Sequence, residues 1–233
     1  MTDNKLKDIL GWDIVNWSES IKYWEHFICQ KNIDNITALE LGSGFNGGLS
    51  LWLALKGIKT TCSAYHPSYR NVLDKAKTIH LKHGVNDLID YEEIDATNIP
   101  YTSKYDIICY KSMLGGIVRK DDLKTAENVV KQIYAALKPN GMLLFAENIT
   151  STVIHKILRK QHGSGRNNWR YFTIDELNLL HTDFKSFEYL TFGFLGCFGR
   201  GEKQRSILGR IDQTLFRNIP ENWNYVLAGV AIK

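Results

Sequence analysis

Four glycines, Gly42, Gly44, Gly47 and Gly48, fall within seven residues shortly after an acid, Glu40. The stretch 36–57 reads ITALELGSGFNGGLSLWLALKG: an apolar run, a glycine turn, and a helical pattern closed by Gly57. Strand, glycine turn and helix together bring backbone N–H groups and a helix N-terminus close to a ligand. Groups suited to acid–base work lie downstream. His155 carries an imidazole that titrates near neutrality. Glu147 ends one apolar run and Lys111 leaves another. Arg159 follows His155 at i,i+4 and shares its helix face. Arg159, Arg170, Arg200, Lys203 and Arg205 supply cations, and arginine forks onto phosphate or carboxylate.

These residues need a frame, and the chain alternates between short apolar runs and helical patterns. Residues 5–30 are aromatic-rich, with a helix expected over 19–30, capped by Ser18 and repeating Trp17, Ile21, Trp24 and Ile28. Trp17 is a candidate lid over a ligand. Strand 36–41 precedes helix 47–56. Strand 59–64 leads through Pro67 to a helix ending near 83. Strands 91–95 and 105–110, helix 121–137, the turn Pro139-Asn140-Gly141 and strand 142–147 follow. Further helices are expected near 151–162 and 173–181, the second with Thr173 and Glu176 as a capping box. Strands 187–195 and 225–232 end the chain, separated by a polar, basic segment. The expected fold is α/β: a Rossmann-like parallel sheet with helices on both faces, an antiparallel C-terminal edge and an N-terminal helical lid. One domain is expected over 1–233, with the lid at 1–35, a ligand-binding core at 36–150 and a substrate side at 151–233.

The totals set limits. With 233 residues, 44% hydrophobic and 23% charged, the chain is sized for one α/β domain with a substantial core. No apolar run is long enough to cross a bilayer, and the first residues lack a signal-peptide pattern, so a cytoplasmic location is expected. Cys29, Cys62, Cys109 and Cys197 form no paired spacing, so neither a metal site nor a disulfide framework is expected. Net charge is +4, and residues 151–220 hold eleven Lys/Arg against six Asp/Glu. That excess suits an anionic substrate and is too thin for a nucleic-acid surface. A homodimer remains open.

ALELGSG, EEIDATNIPY, YDIICYKSMLGG and AALKPNGMLLFAEN occur in that order over about residues 36–150. In order and spacing they resemble the Rossmann-like, class I S-adenosylmethionine-dependent methyltransferases. NGGLSLWLALKG, the KS-x-LGG segment, FAEN, the WRY triplet and the ending IPENWNYVLAGVAIK are similar to a narrower bacterial group often associated with cell-surface polysaccharide biosynthesis. The resemblance implies S-adenosylmethionine as cofactor, S-adenosylhomocysteine as product, and a small-molecule or glycan-precursor acceptor. It places the methionine tail at Glu40, Gly42, Ser43, Gly44 and Asn46, the ribose near Ala64 and Tyr65, and the adenine at Asp95 and Ala96. Tyr110 leaves the fourth strand beside the same pocket.

Two positions depart from the pattern. Asn46 stands where a third glycine is usual, and Asn tolerates left-handed backbone better than most residues. Ala64 stands where an acid grips the ribose hydroxyls; losing such a charge-assisted hydrogen bond costs about 1.5–3 kcal/mol. Ser63, Tyr65 or His66 are the substitutes at hand. For the transfer itself His155, Glu147, Lys111 and His66 are candidate catalytic groups. Trp17, Arg159, Trp169, Arg170, Tyr171 and Arg200 are candidate acceptor contacts, and the arginines suggest a phosphate-bearing acceptor. Two other readings stand beside this one. The first is a non-catalytic domain with weakened cofactor affinity, which Ala64 favours. The second is a dinucleotide oxidoreductase, which the glycine turn alone would allow.

Overall fold

The computed structural model describes residues 3–30, 35–65, 69–118, 122–162, 169–215 and 218–233. His66 lies outside them. Seven strands form one sheet in the order β3-β2-β1-β4-β5-β7-β6. β1 (Thr37–Glu40), β2 (Lys59–Ala64), β3 (Ile89–Glu93), β4 (Tyr105–Lys111) and β5 (Leu137–Asn148) run parallel. β6 (Ser186–Phe192) and β7 (Val226–Ile232) are antiparallel, with β7 inserted between β5 and β6. The reversal of strand order between β1 and β4 opens a crevice beyond the strand C-termini, where open α/β sheets bind ligands.

Strand alternation divides the core into two layers. Ala38, Ile107, Cys109, Leu144 and Val230 face one apolar cluster; Leu39, Ile108, Tyr110, Phe145 and Leu227 face the other. Period-two alternation along each strand is the cause, because successive side chains leave opposite faces. The first layer is closed by α1 (Asp3–Leu10), α2 (Ile14–Ile28), α3 (Gly48–Ala54) and α4 (Tyr69–Lys82). Residues of α5 (Leu114–Ile117), α6 (Leu123–Ala136) and α8 (Ile174–Leu180) close the second. α7 (Val153–His162) and α9 (Glu202–Leu215) complete the helices among the described residues.

Several expected boundaries shift. The N-terminus holds two helices rather than one starting at 19. Ser18 lies inside α2, where its hydroxyl donates to the Val15 carbonyl at 2.7 Å. β3 begins and ends two residues early, and Asp95 to Asn98 form a turn beyond it, the Asn98 amide donating to the Asp95 carbonyl at 3.0 Å. The basic segment after β6 contains the 14-residue helix α9. The Thr173/Glu176 capping box is present as expected.

A buried polar network fixes the N-terminal helices to the last strand. Asp13, fully buried at φ 48, accepts from the Tyr225 hydroxyl. Asn16 donates to Asp212 at 3.0 Å, and Asp212 accepts the Leu195 and Gly196 amides at 2.8 and 2.9 Å. Glu202 in turn accepts the Asp13 and Ile14 amides.

α1 lies directly on the start of α3: a Cβ added at Gly48 would come within 1.8 Å of the Ile9 carbonyl oxygen. The Gly48→Ala variant is expected to lose about 3 kcal/mol of stability through this overpacking. Hydrogen exchange should locate the loosening in residues 3–10. Unchanged protection there would show that α1 does not close over the turn.

Candidate active site at the strand C-termini

The glycine turn is built by three left-handed residues, Gly42 at φ 63, Gly44 at φ 58 and Gly47 at φ 53. Such backbone favours glycine because a Cβ crowds the adjacent carbonyl. The third left-handed residue is therefore Gly47, one position past the usual one, and Asn46 is not left-handed. Asn46 donates instead to the Asp8 carbonyl of α1 at 3.2 Å, so it ties the lid rather than facing a ligand. Ser43 is buried and its amide bonds the Ser63 carbonyl at 2.9 Å, joining the turn to β2. His80 of α4 supports the turn from below. Its Nε2 lies 2.9 Å from the Gly47 carbonyl and its Nδ1 2.7 Å from the Tyr91 hydroxyl. Burial lowers its pKa, which keeps it neutral.

Glu40 is turned inward. Its carboxylate accepts the Leu49 amide at 3.1 Å and the Ser50 amide and hydroxyl at 2.8 and 2.6 Å. It thus satisfies the free N–H groups of the first turn of α3, where negative charge is also favoured. Burial raises its pKa to about 7 against those hydrogen bonds. Both carboxylate oxygens are thus engaged by α3.

Across the crevice, Ala64 closes β2 and is buried. Ser63 does not replace the missing acid, since its hydroxyl donates to the Glu40 carbonyl at 2.7 Å. Tyr65 is 61% exposed. Asp95 holds the 95–97 turn, accepting the Thr97 amide at 2.8 Å and hydroxyl at 2.7 Å, and Ala96 is buried behind it. Tyr110 does not reach the crevice. It is fully buried in the second layer, stacked on Phe145 at 5.3 Å, with its hydroxyl unpartnered.

A cavity of about 700 Å³ opens at the ends of β4 and β5. Ser112 and Asn148 form its floor, joined by a 3.0 Å hydrogen bond. Ser112 is held at φ 49, a left-handed conformation uncommon for serine. Trp12, Trp169, Tyr171 and Phe198 supply aromatic walls. Arg159, Arg200 and Arg205 supply the charge, and no carboxylate lines the cavity among the described residues. Arg159 lies over the Tyr171 ring at 4.1 Å and donates to the Ile149 carbonyl at 2.7 Å. The Nε of Arg205 is buried without a partner.

The candidates distribute unevenly over this cavity. Arg159, Trp169, Tyr171 and Arg200 line it. Trp17 does not: it is 0% exposed, and it lies under the Lys111 ammonium at 4.5 Å. The indole that faces the cavity is Trp12, held on the Gly11–Asp13 connection by the Asp13 network. Arg170 is also displaced, into an ion pair with Glu176 at 2.6 Å. His155 walls the cavity but is buried with both ring nitrogens engaged. Nε2 donates to the Phe194 carbonyl at 2.8 Å, and Nδ1 accepts from the Thr152 hydroxyl at 2.7 Å. Burial lowers its pKa. It latches α7 onto the 194–198 turn and is corrected from base to structural wall.

Lys111 sits behind Trp12, whose ring it approaches at 5.7 Å, and does not line the cavity. Burial lowers its pKa to about 8, opposed by Glu40, Glu147 and Asp13. Glu147 is fully buried. Its Oε1 accepts the Met113 and Leu114 amides at 2.7 and 2.6 Å, and its Oε2 has no partner. It organises the exit of β4 and is corrected from base to positioning group.

Burial raises the Glu147 pKa to about 7. The folded state therefore holds this proton more tightly than the unfolded chain does. The resulting stability is complete below pH 4.5, the ordinary value, and is lost as pH rises through about 7. In Glu147→Gln the fall in melting temperature between pH 5 and pH 8 should shrink by about 5 °C. An undiminished fall would mean that Glu147 ionises as it does in water.

Arg205, Trp12, Ser112 and the Gly115–Trp169 contact are the features least visible in the chain order. A Cβ at Gly115 would lie 2.4 Å from Trp169 Nε1, and Gly116 packs on the same indole. The LGG and WRY segments, residues 114–116 and 169–171, are thus one packed unit although far apart in the chain.

Comparison with known proteins agrees with this fold. Residues 39–145 match the family model described as a methyltransferase domain. A search of the curated proteins finds no match. Among solved structures, phosphoethanolamine N-methyltransferase 2 of Haemonchus contortus, solved with S-adenosylmethionine, superposes with a TM-score of 0.63 at 15% identity. The match covers 93% of this chain and 52% of that one, so the chain spans about half the length of that enzyme. A S-adenosylmethionine-dependent methyltransferase of Methanosarcina mazei superposes with a TM-score of 0.61 at 19% identity, covering 89% of this chain and 96% of the other. Residues 39–145 are thus similar to a methyltransferase domain, and the chain has the mostly parallel seven-stranded class I methyltransferase fold.

Proposed function

We propose that the protein is a S-adenosylmethionine-dependent methyltransferase whose acceptor is a small anionic molecule, a phosphate- or carboxylate-bearing glycan precursor. The observation that carries the acceptor class is the cavity with three arginines and no carboxylate among its described lining residues. Arginine forks hold phosphate and carboxylate in a fixed plane. The role in cell-surface polysaccharide assembly rests on the motif resemblance, including the WRY segment whose Trp169 and Tyr171 wall the cavity. The four free cysteines, two of them buried, accord with a reducing cytoplasm. Among the described residues no helix is long and apolar enough to cross a membrane. On this reading residues 1–233 act as one domain, with 151–233 as the substrate side.

The glycine turn fits the methionine tail of the cofactor. Three left-handed glycines follow β1, and a Cβ at Gly44 would meet nothing within 4 Å, so the backbone there is open to a close ligand. S-adenosylmethionine would supply an electrophilic methyl group on a sulfonium. The chain's own groups position and shield the acceptor. No side chain lining the cavity is an available base among the described residues: His155 is engaged at both nitrogens, and burial pushes the Cys197 thiol up to about 12. Rate then comes from alignment and exclusion of water, which favours an acceptor atom that needs no deprotonation by the protein.

Ala64 keeps the non-catalytic reading as the alternative. Calorimetry with S-adenosylmethionine and S-adenosylhomocysteine separates the two, because absence of binding by either would defeat the enzyme. The acceptor class is tested by turnover of a working acceptor with and without its phosphate; equal efficiency would exclude an anion site.

A further inference from the structure

The two helices that wall the cavity, α7 and α9, turn apolar side chains outward. On α7, Val153, Ile154 and Ile157 form one contiguous patch, with Ile154 58% and Ile157 50% exposed. On α9, Ile207, Ile211 and Leu215 recur every four residues along one face, and Ile207 is 61% exposed. Residues three and four apart are neighbours on a helix surface, so both sets are stripes. Isolated exposed apolar residues are ordinary, but contiguous patches mark a docking surface.

The exposed charges carried by these two helices themselves have one sign. Lys156 and Lys160 on α7 and Lys203 and Arg210 on α9 are exposed. α7 contains no acid. The acids of α9 face inward: Glu202 accepts the Asp13 and Ile14 amides, and Asp212 is buried on Leu195 and Gly196. Apolar side chains flanked by Lys and Arg on a helix too short and too polar to span are the pattern of interfacial binding to anionic lipid.

We propose that the outer faces of α7 and α9 dock the protein on an anionic lipid bilayer, and that the acceptor is an amphiphile whose anionic headgroup enters the arginine cavity from that surface. The second part rests on the methyl-transfer reading above; the first does not. His155, Leu158 and Arg159 line the cavity from the inner side of α7, and Arg205 does so from α9. The same two helices therefore present the lipid-facing stripes and the headgroup site, a turn or less apart. An anionic headgroup with an apolar tail matches both sides of the rim.

The test is flotation of the full chain with vesicles of phosphatidylcholine alone and of equimolar phosphatidylcholine and phosphatidylglycerol. Binding to the mixed vesicles, weakened by high salt, is expected, with little binding to the neutral ones. Ile154→Ser with Ile157→Ser, and separately Ile207→Ser with Ile211→Ser, should each lower the bound fraction at least about fivefold. Lys156→Glu with Lys160→Glu should abolish the preference for phosphatidylglycerol. All variants should retain the parent melting temperature, since the altered side chains face solvent. Equal binding to both vesicle types, no binding, or insensitivity to all three variants would overturn the docking surface. A dimer in sedimentation equilibrium that these substitutions dissociate, without vesicle binding, would assign the face to a second copy and overturn it as well. Calorimetry with S-adenosylhomocysteine on the same samples keeps the readings apart. Nucleoside binding without vesicle binding defeats only the docking; vesicle binding without nucleoside binding defeats only the methyl transfer.

Discussion

The Gly42→Val variant is expected to bind S-adenosylhomocysteine at least about a hundredfold more weakly than the parent, close to 3 kcal/mol. Two effects combine at this position. The backbone is at φ 63, where a β-branched residue is strained by about 1–2 kcal/mol. An added Cβ would also lie 2.7 Å from Met113 Cγ and 3.1 Å from its sulfur. Met113 is flexible and would yield, but only by moving from its place beside the turn. Strain and displacement therefore act on the surface that would receive the methionine tail. The measurement is calorimetric affinity together with melting temperature. A variant that is less stable yet binds with full affinity would show that the turn at Gly42 is structural only.

The Arg159→Leu variant addresses the acceptor. A guanidinium that forks onto phosphate or carboxylate contributes about 3 kcal/mol, so KM for an anionic acceptor should rise roughly a hundredfold. Affinity for S-adenosylhomocysteine should stay within about twofold, because Arg159 lies on α7 and away from the glycine turn. Arg159→Lys should recover only part of the loss, since an ammonium keeps the charge but not the planar fork over Tyr171. Arg159 also donates to the Ile149 carbonyl, and leucine leaves that oxygen unpaired. A fall in kcat and in melting temperature with KM unchanged would therefore assign the residue to the scaffold. The same loss of KM on the phosphorylated and dephosphorylated acceptor would remove the anion from its role.

These two positions differ in how visible they are in the chain itself. Gly42 belongs to a local pattern, and local patterns carry their physics with them. A glycine-rich turn between an apolar run and a helix forms largely from backbone sterics. The alternating strands show by period, and the Thr173/Glu176 cap is written in four consecutive residues. For these, neighbours in sequence are neighbours in space. The polar segment after β6 was harder, because α9 has mixed polarity and its inward face is defined by α2 and Asp212.

The working cavity is a different matter. It gathers Trp12 from the N-terminus, Ser112 after β4, Arg159 and Trp169 after β5, and Arg205 near the C-terminus. Nothing in the spacing of these residues joins them. Trp17 has helical spacing suited to a lid, yet it is Trp12 that reaches the cavity, because buried Asp13 turns the chain there through a left-handed residue. His155 has the chemistry of a base, but two hydrogen bonds to distant groups remove it from that work. Glu40 reads as a cofactor contact and Glu147 as a base, and both bind backbone amides, of α3 and of the start of α5. The sequence by itself determined the alternation of strands and helices through the core and the glycine turn, since each arises from short-range periodicity and backbone conformation. Only the tertiary structure decided which polar side chains stay available to a ligand, because that depends on which distant donors and acceptors have already satisfied them.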